Sequence, residues 1–176
     1  MRLLIDMDDV LADTGAKILD VFNQRNGLQL EKSFFEDKHF YEYIKGHNSY
    51  RDALYEPGFF RDIKVFPDAI DVVKELNEKF EVYIVSAATE FPLSLTEKME
   101  WLDEHFPFIS WRNRVFCGDK SIVHGDIMID DHARNFENFS GRKILFHSMH
   151  NTQVQGYERV KSWREIRDLI GCAGKE

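Results

Sequence analysis

The sequence LLIDMDDVLA at residues 3–12 indicates the fold class of this chain. Its first three residues form an apolar run that stops at Asp6, which is typical of a short strand buried in a parallel sheet. Asp8 and Asp9 follow within the next three positions. Because parallel sheets bind ligands at the carboxyl ends of their strands, this acidic turn predicts a functional site directly after the first strand.

Similar apolar runs recur along the chain and alternate with stretches of helical periodicity. Strands are predicted at residues 3–5, 81–85, 114–117, 127–129 and 143–146. Helices are predicted over a stretch that carries Leu11, Ile18 and Phe22 and ends near Gly27, from Pro67, from Pro92, and from Ser162 to Gly171. Strands that alternate with helices indicate an α/β fold, a Rossmann-like parallel sheet with helices on both faces.

The stretch from about residue 30 to residue 66 has no regular pattern and is strongly aromatic. We expect residues 15–66 to form a small helical cap inserted after the first strand, and residues 1–14 and 67–176 to form the core. Most aromatic rings of the cap would fill its interior. A few could instead face a substrate and stack on a base, and the candidates are Phe34, Phe35, Phe59 and Phe60.

Four predicted strands are followed by the side chains that phosphoryl transfer requires. In chain order these are Asp6 and Asp8, Ser86, Lys120, and the pair Asp130-Asp131. A phosphate monoester is anionic and repels an attacking carboxylate, so its site must gather positive charge and hold the nucleophile in line. Mg²⁺ bound by carboxylates, with a lysine and a hydroxyl, meets this need. Each residue alone has an ordinary structural explanation, and the prediction rests on their conjunction.

This set of strand ends resembles the four motifs of the haloacid dehalogenase superfamily of phosphotransferases. Three further segments are similar to 5′(3′)-deoxyribonucleotidases: YEPGFF at residues 55–60, DKS at 119–121 with GDIMIDD at 125–131, and the pair His150-Asn151. The resemblance extends over about residues 2–170. It implies a magnesium-dependent phosphatase that hydrolyses (deoxy)nucleoside monophosphates through an aspartyl-phosphate intermediate.

The resemblance also implies a role for each residue of the site. Asp6 would be the nucleophile and a metal ligand. Asp8 would be the general acid and then the general base, and its backbone carbonyl would bind the metal. Ser86 would bind phosphoryl oxygens, and Lys120 would bridge the phosphate and the nucleophile.

Asp130 and Asp131 would hold the Mg²⁺, and which of the two coordinates it directly stays open. The chain departs from the family pattern at two positions. Asp9 stands where a glycine is common, which adds negative charge beside the site. The residues after Ser86, Ala87-Ala88-Thr89, lack a lysine that some members use as an extra phosphate contact.

The composition limits the partners that this chain can have. A formal net charge of −8 argues against a polynucleotide partner, because phosphate backbones are bound by a surplus of Lys and Arg. The expected partner is a small phosphomonoester, by resemblance a nucleotide. Cys117 and Cys172 form no pattern, and no signal segment or membrane span is apparent, so we expect a cytoplasmic protein. The oligomeric state is not predicted.

Two alternative functions differ from this prediction, one in its substrate and one in the fate of the phosphoryl group. One is a phosphatase of the same fold that acts on sugar phosphates or other small phosphomonoesters. The other is a signalling receiver module, which stores a phosphoryl group on an aspartate without turnover. In such modules the acidic pair follows the first strand, whereas in this chain Asp6 comes first and Asp130-Asp131 comes last. The order of the motifs therefore favours the phosphatase.

Overall fold

A single parallel sheet of six strands forms the centre of the molecule in the computed structural model, which describes residues 1–47 and 50–171. The strands are β1 (Arg2–Ile5), β2 (Glu81–Ser86), β3 (Arg114–Phe116), β4 (Ile127–Asp130), β5 (Arg142–Phe146) and β6 (Glu158–Val160). Their order in the sheet is β3-β2-β1-β4-β5-β6, and all neighbouring pairs are parallel. The predicted fold class is confirmed. Cys172 lies outside the described residues.

Within the part of the chain that the structure describes, five α-helices connect or flank the strands: α1 (Thr14–Asn26), α2 (Phe40–Ile44), α3 (Ala69–Asn77), α4 (Pro92–His105) and α5 (Trp163–Ile170). Several ends are where the sequence predicted them. Gly27 ends α1 in the left-handed region at φ 62°, and Pro92 begins α4. The Ser162 side chain caps α5 by accepting a hydrogen bond from the Glu165 N–H. No helix in the described ranges is long and apolar enough to span a bilayer.

Three local predictions differ from the structure. Leu11 lies in a turn before α1, not on the helix. The helix expected at Pro67 begins at Ala69, because Asp68 takes a left-handed φ of 64° and so cannot belong to the helix. The short edge strand β6 was not predicted; only Val160 of its three residues is buried, so it lacks an apolar run.

The two faces of the sheet have separate hydrophobic cores, because alternate residues of a strand point to opposite faces. Leu3 and Ile5 face the larger core, into which α3, α4 and α5 pack their apolar side chains, including the fully buried Trp101 and Trp163. Leu4 faces the other core, which is covered by a 3₁₀ helix at Ala133–Phe136 and the loop after it.

The aromatic segment between α1 and α3 consists of short helices joined by turns and irregular loops. Apart from α2 it contains 3₁₀ helices at Lys32–Phe35 and Arg51–Tyr55. A third hydrophobic cluster fixes it to α1 and to the loop after β5; its buried members are Leu19, Phe22, Phe35, Phe40 and Met149. The division of the chain into a cap at residues 15–66 and a core stays a prediction.

Candidate active site

The carboxyl ends of β1, β2 and β4 meet at the centre of one sheet edge. Ile5 is paired with Ile84 on one side and with Ile129 on the other, and the Asp6 N–H donates to the Ile129 carbonyl at 2.9 Å. The strand order reverses between β1 and β4, which is where open α/β sheets bind ligands. The register therefore brings Asp6 to the same edge as the buried Ser86 and Asp130.

Lys120 bridges the first and fourth strand ends. Its Nζ lies 2.7 Å from Asp6 Oδ1 and 2.7 Å from Asp130 Oδ2, and the lysine is only 4% exposed. Burial alone would lower the pKa of Lys120, but the charges of Asp6 and Asp130 outweigh burial and raise it. Burial raises the pKa of Asp6 well above its usual range, against the opposing charge of Lys120. Lys120 thus stays charged between two carboxylates.

Asp130 has protein donors on both carboxylate oxygens. Its Oδ2 accepts from Lys120, and its Oδ1 accepts from the His132 N–H at 2.9 Å and from Asn135 Nδ2 at 2.8 Å. The carboxylate is therefore satisfied by the protein alone.

Asp131 differs, because one of its oxygens has no partner. Its Oδ2 lies 2.5 Å from His150 Nε2, whereas Oδ1 is buried without a hydrogen-bond partner among the described residues. Carboxylate oxygens of Asp6, Asp130 and Asp131 lie within 4.8 Å of one another. A buried acceptor without a donor is costly unless a cation or water completes it. The donor set, all oxygen and anionic, fits a hard divalent cation such as Mg²⁺.

A second buried lysine, Lys98 of α4, lies at the part of the site formed by Asp8 and Ser86. Its Nζ lies 2.5 Å from Asp8 Oδ2 and 3.0 Å from Ser86 Oγ, and Lys98 is 1% exposed. The Thr14 hydroxyl donates to Asp8 Oδ1 at 2.9 Å. The ring of Phe60 packs against the Lys98 ammonium, 4.8 Å from its centroid, and adds a cation–π contact.

Sequence reasoning missed Lys98 because a lysine within a predicted helix is ordinarily exposed to solvent. The buried residues of α4 are Ser94, Lys98, Trp101 and Leu102. Ser94, Lys98 and Trp101 follow the i, i+4, i+7 spacing of one helical face. Two features of the sequence could have indicated Lys98. It lies between a serine and a tryptophan on that helical face, and the chain lacks the lysine that some family members have after the residue corresponding to Ser86.

Asp9 occupies a position suited to glycine. Its φ of 53° lies in the left-handed region, which accounts for the glycine common there in the resembled family. The Asp9 carboxylate accepts a hydrogen bond from the Gly15 N–H, at 2.6 Å, in the first turn of α1. Burial and the nearby charge of Asp131 raise the pKa of Asp9 to about 7. The Asp9 carboxylate thus lies at the amino-terminal end of α1, where the helix dipole favours negative charge.

Comparison with known proteins places this geometry in a family. The family described as 5′ nucleotidase, deoxy (pyrimidine), cytosolic type C protein matches residues 1–176. The chain belongs to this family. A 5′(3′)-deoxyribonucleotidase of Bacillus subtilis is 41% identical over 165 residues, covering 93% of this chain and 95% of that protein. A protein of Staphylococcus epidermidis, provisionally named a 5′(3′)-deoxyribonucleotidase, is 41% identical over 175 residues, or 99% and 98% of the two chains.

Solved structures of haloacid dehalogenase-like hydrolases share the fold of this nucleotidase-family chain. A hydrolase of Deinococcus radiodurans, determined with bound phosphate and sodium, has a TM-score of 0.60 at 14% identity and covers 98% of this chain and 95% of that chain. A magnesium-bound hydrolase of Bacillus subtilis, YfnB, has a TM-score of 0.56 at 12% identity, with 96% and 97% covered. The resemblance drawn from the sequence is confirmed, and so is the enzyme class, a phosphomonoester hydrolase.

The four phenylalanines predicted as substrate contacts in this nucleotidase-family chain differ in burial. Phe35 is fully buried in the third cluster, and Phe59 and Phe60 are 6% and 3% exposed. Phe34 is half-buried and packs edge-on against Phe35 and Tyr43. A contact between any of these rings and a substrate stays a prediction.

Proposed function

We propose that this chain is a Mg²⁺-dependent phosphatase that hydrolyses (deoxy)nucleoside monophosphates to a nucleoside and inorganic phosphate. The observation that supports the chemistry best is one sheet edge where Lys98 contacts Asp8 and Lys120 contacts Asp6 and Asp130, with the carboxylate of Asp131 beside them. The substrate class comes from the named relatives. A cytoplasmic location is part of the proposal.

Asp6 is the nucleophile of the proposed reaction. Its Oδ1 accepts hydrogen bonds from the Met7 N–H at 2.7 Å and from Lys120, which fix the orientation of the carboxylate. Attack on phosphorus forms an aspartyl-phosphate and breaks the bond to the leaving oxygen, which takes a proton from Asp8. Asp8 then accepts a proton from water, which attacks the same phosphorus, releases inorganic phosphate and restores the Asp6 carboxylate.

Positive charge comes to the phosphoryl group from two lysines. Lys98 and the Ser86 hydroxyl bind phosphoryl oxygens on the Asp8 side, and Lys120 binds on the Asp6 side. Without substrate, Asp8 is the anionic partner of Lys98. An incoming phosphate dianion supplies a new partner for Lys98 and leaves Asp8 Oδ2 available to hold the proton for the leaving oxygen.

The side chains of Asp6 and Asp131 and the backbone carbonyl of Asp8 would hold the Mg²⁺. The unpartnered Oδ1 supports Asp131 as the direct ligand, while Asp130 orients Lys120. When bound, the ion neutralises charge on the phosphoryl oxygens. The four carboxylates outnumber the two lysines of the site, and a divalent cation would balance this excess.

The proposal is tested by measuring inorganic phosphate released from nucleoside monophosphates and sugar phosphates, with Mg²⁺ and with excess chelator. We expect many turnovers on nucleotides and none in chelator. Fast hydrolysis confined to a sugar phosphate would favour the first alternative. Release of one nucleoside or sugar per protein molecule, with no inorganic phosphate, would favour the receiver module.

Deoxyribonucleotides should be hydrolysed faster than ribonucleotides, by a limited factor. The proposed cap is rich in aromatic rings, so the wall near the sugar is expected to be apolar. Such a wall disfavours an added hydroxyl but rejects it by no more than about 10²-fold. The kcat/KM ratio of dUMP to UMP at saturating Mg²⁺ should therefore lie between one and about 10². A ratio below one would contradict the deoxynucleotide preference and leave the phosphatase chemistry standing.

Lys98→Met should lower kcat/KM on nucleotides by about 10²- to 10³-fold, since loss of one group that stabilises developing charge typically costs this much. The variant keeps an unbranched side chain of similar length and removes the ammonium group that contacts Asp8 and Ser86. Lys74→Met, on the exposed face of α3, is the matched control and should keep wild-type kinetics. A value for Lys98→Met within about threefold of wild type, in a protein with normal thermal stability, would remove Lys98 from the mechanism.

A further inference from the structure

The loop after β5 contacts Asp131 at both its side chain and its main chain. His150 Nε2 lies 2.5 Å from Asp131 Oδ2, and Asn151 Nδ2 donates to the Asp131 carbonyl oxygen at 2.8 Å. Two consecutive residues of the loop between β5 and β6, His150 and Asn151, thus hold one carboxylate oxygen and the main-chain carbonyl of Asp131.

The Asn151 side chain makes four hydrogen bonds, counting the one to Asp131. Its Nδ2 also donates to the Phe146 carbonyl at 2.8 Å, and its Oδ1 accepts from the Ser148 N–H at 3.1 Å and from Arg159 Nη1 at 2.7 Å. Asn151 is 2% exposed. It therefore joins the end of β5, the strand β6 and Asp131 in one buried network, which fully uses the amide.

The His150 ring is fixed between two other rings. It stacks on His132 with centroids 4.1 Å apart and planes at 18°, and on Tyr41 of α2 at 5.6 Å and 30°. His132 faces the same carboxylate, but its Nε2 lies 3.7 Å from Asp131 Oδ2, beyond hydrogen-bond distance. His150 is therefore the histidine that orients this carboxylate.

These contacts orient the carboxylate of Asp131. Oδ2 is turned to His150, so Oδ1 is the oxygen left buried and without a partner. We propose that His150 and Asn151 are positioning residues that present Asp131 Oδ1 to the divalent cation. Partners of this kind, which hold a metal ligand without touching the metal, commonly change metal affinity by about 10- to 100-fold when removed.

The inference rests on the proposed function, because it requires a cation at Asp131. It is tested on the substrate-free protein by measuring the Kd for Mn²⁺ from the electron paramagnetic resonance signal of the free ion. His150→Leu should raise this Kd by about 10- to 100-fold. His150→Gln keeps an N–H donor at a similar reach and should restore the Kd to within about fivefold of wild type. His124→Gln, at an exposed histidine in the loop before β4, is the control and should bind Mn²⁺ as wild type does.

The outcomes separate this inference from the proposed function. If wild type binds Mn²⁺ and His150→Leu binds it equally well, the inference fails and the phosphatase proposal stands. If wild type binds no Mn²⁺, the metal dependence fails and the inference fails with it. Thermal melting without metal tests a purely structural role: equal loss of affinity in the Leu and Gln variants, with equal loss of stability, would also overturn the inference.

Discussion

Asp6→Asn is expected to lower kcat by about 10⁴- to 10⁶-fold, the scale seen when a catalytic nucleophile is removed. The amide keeps the shape of the carboxylate but cannot attack phosphorus. The same loss should follow when excess chelator is added to wild type, because the reaction needs both the nucleophile and the cation. Phosphate release from dUMP measures both effects.

The stability of Asp6→Asn distinguishes lost chemistry from lost structure. Burial raises the pKa of Asp6, so at neutral pH the ionised carboxylate is less favourable in the folded protein than in the unfolded chain. This destabilising effect is absent well below the usual aspartate pKa and develops as the pH rises toward the folded value. The melting temperature of Asp6→Asn at pH 7 without metal should therefore not fall. Asp20→Asn, exposed on α1, is the control for an aspartate outside the site. Near-native turnover by Asp6→Asn would reject the nucleophile.

Asp8→Asn is expected to bind Mg²⁺ and substrate but to lower kcat by about 10²- to 10⁴-fold, the usual contribution of general acid–base catalysis. The backbone carbonyl of residue 8 is unchanged, so the metal ligand survives. The asparagine can still accept from the Thr14 hydroxyl, whereas its proton transfer is lost.

The choice of leaving group tests which step Asp8 serves. Nitrophenolate needs no proton to leave, so the first step should remain fast for Asp8→Asn with p-nitrophenyl phosphate. Hydrolysis of the aspartyl-phosphate still needs the base. We therefore expect a burst of about one nitrophenolate per active site followed by slow turnover. A kcat on dUMP within about threefold of wild type would show that Asp8 is not the acid–base group.

The sequence predicted the strand ends of the site because each ends a short apolar run at a polar residue. The parallel register then brings Asp6, Ser86 and Asp130 to one edge, as expected for this class of sheet. Lys98 could not be found in this way, since it lies on a helix and its burial depends on packing across the sheet edge. The sequence also could not favour Asp131 over Asp130 as the proposed metal ligand, because the hydrogen bonds of the two carboxylates come from distant segments, at Lys120 and His150.

Local backbone geometry was the other limit on prediction. The left-handed φ of Asp68 delays α3 by two residues, and nothing in the sequence around Pro67 signals it. The strand β6 is held by pairing with β5 at a sheet edge, and its sequence, Glu-Arg-Val, has no apolar run. For β6, pairing with a neighbouring strand outweighs the local pattern.

The turn between Asp9 and Gly15 links two positions in any redesign of this protein. A Cβ added to Gly15 would lie 2.8 Å from Asp9 Oδ1, closer than real Cβ contacts permit. Asp9→Gly would relieve the left-handed backbone and remove the obstructing carboxylate together. A side chain at position 15 would therefore have to displace the Asp9 carboxylate, an obstacle that Asp9→Gly removes. The tolerance of each position depends on the other, so single-site scans would misjudge both.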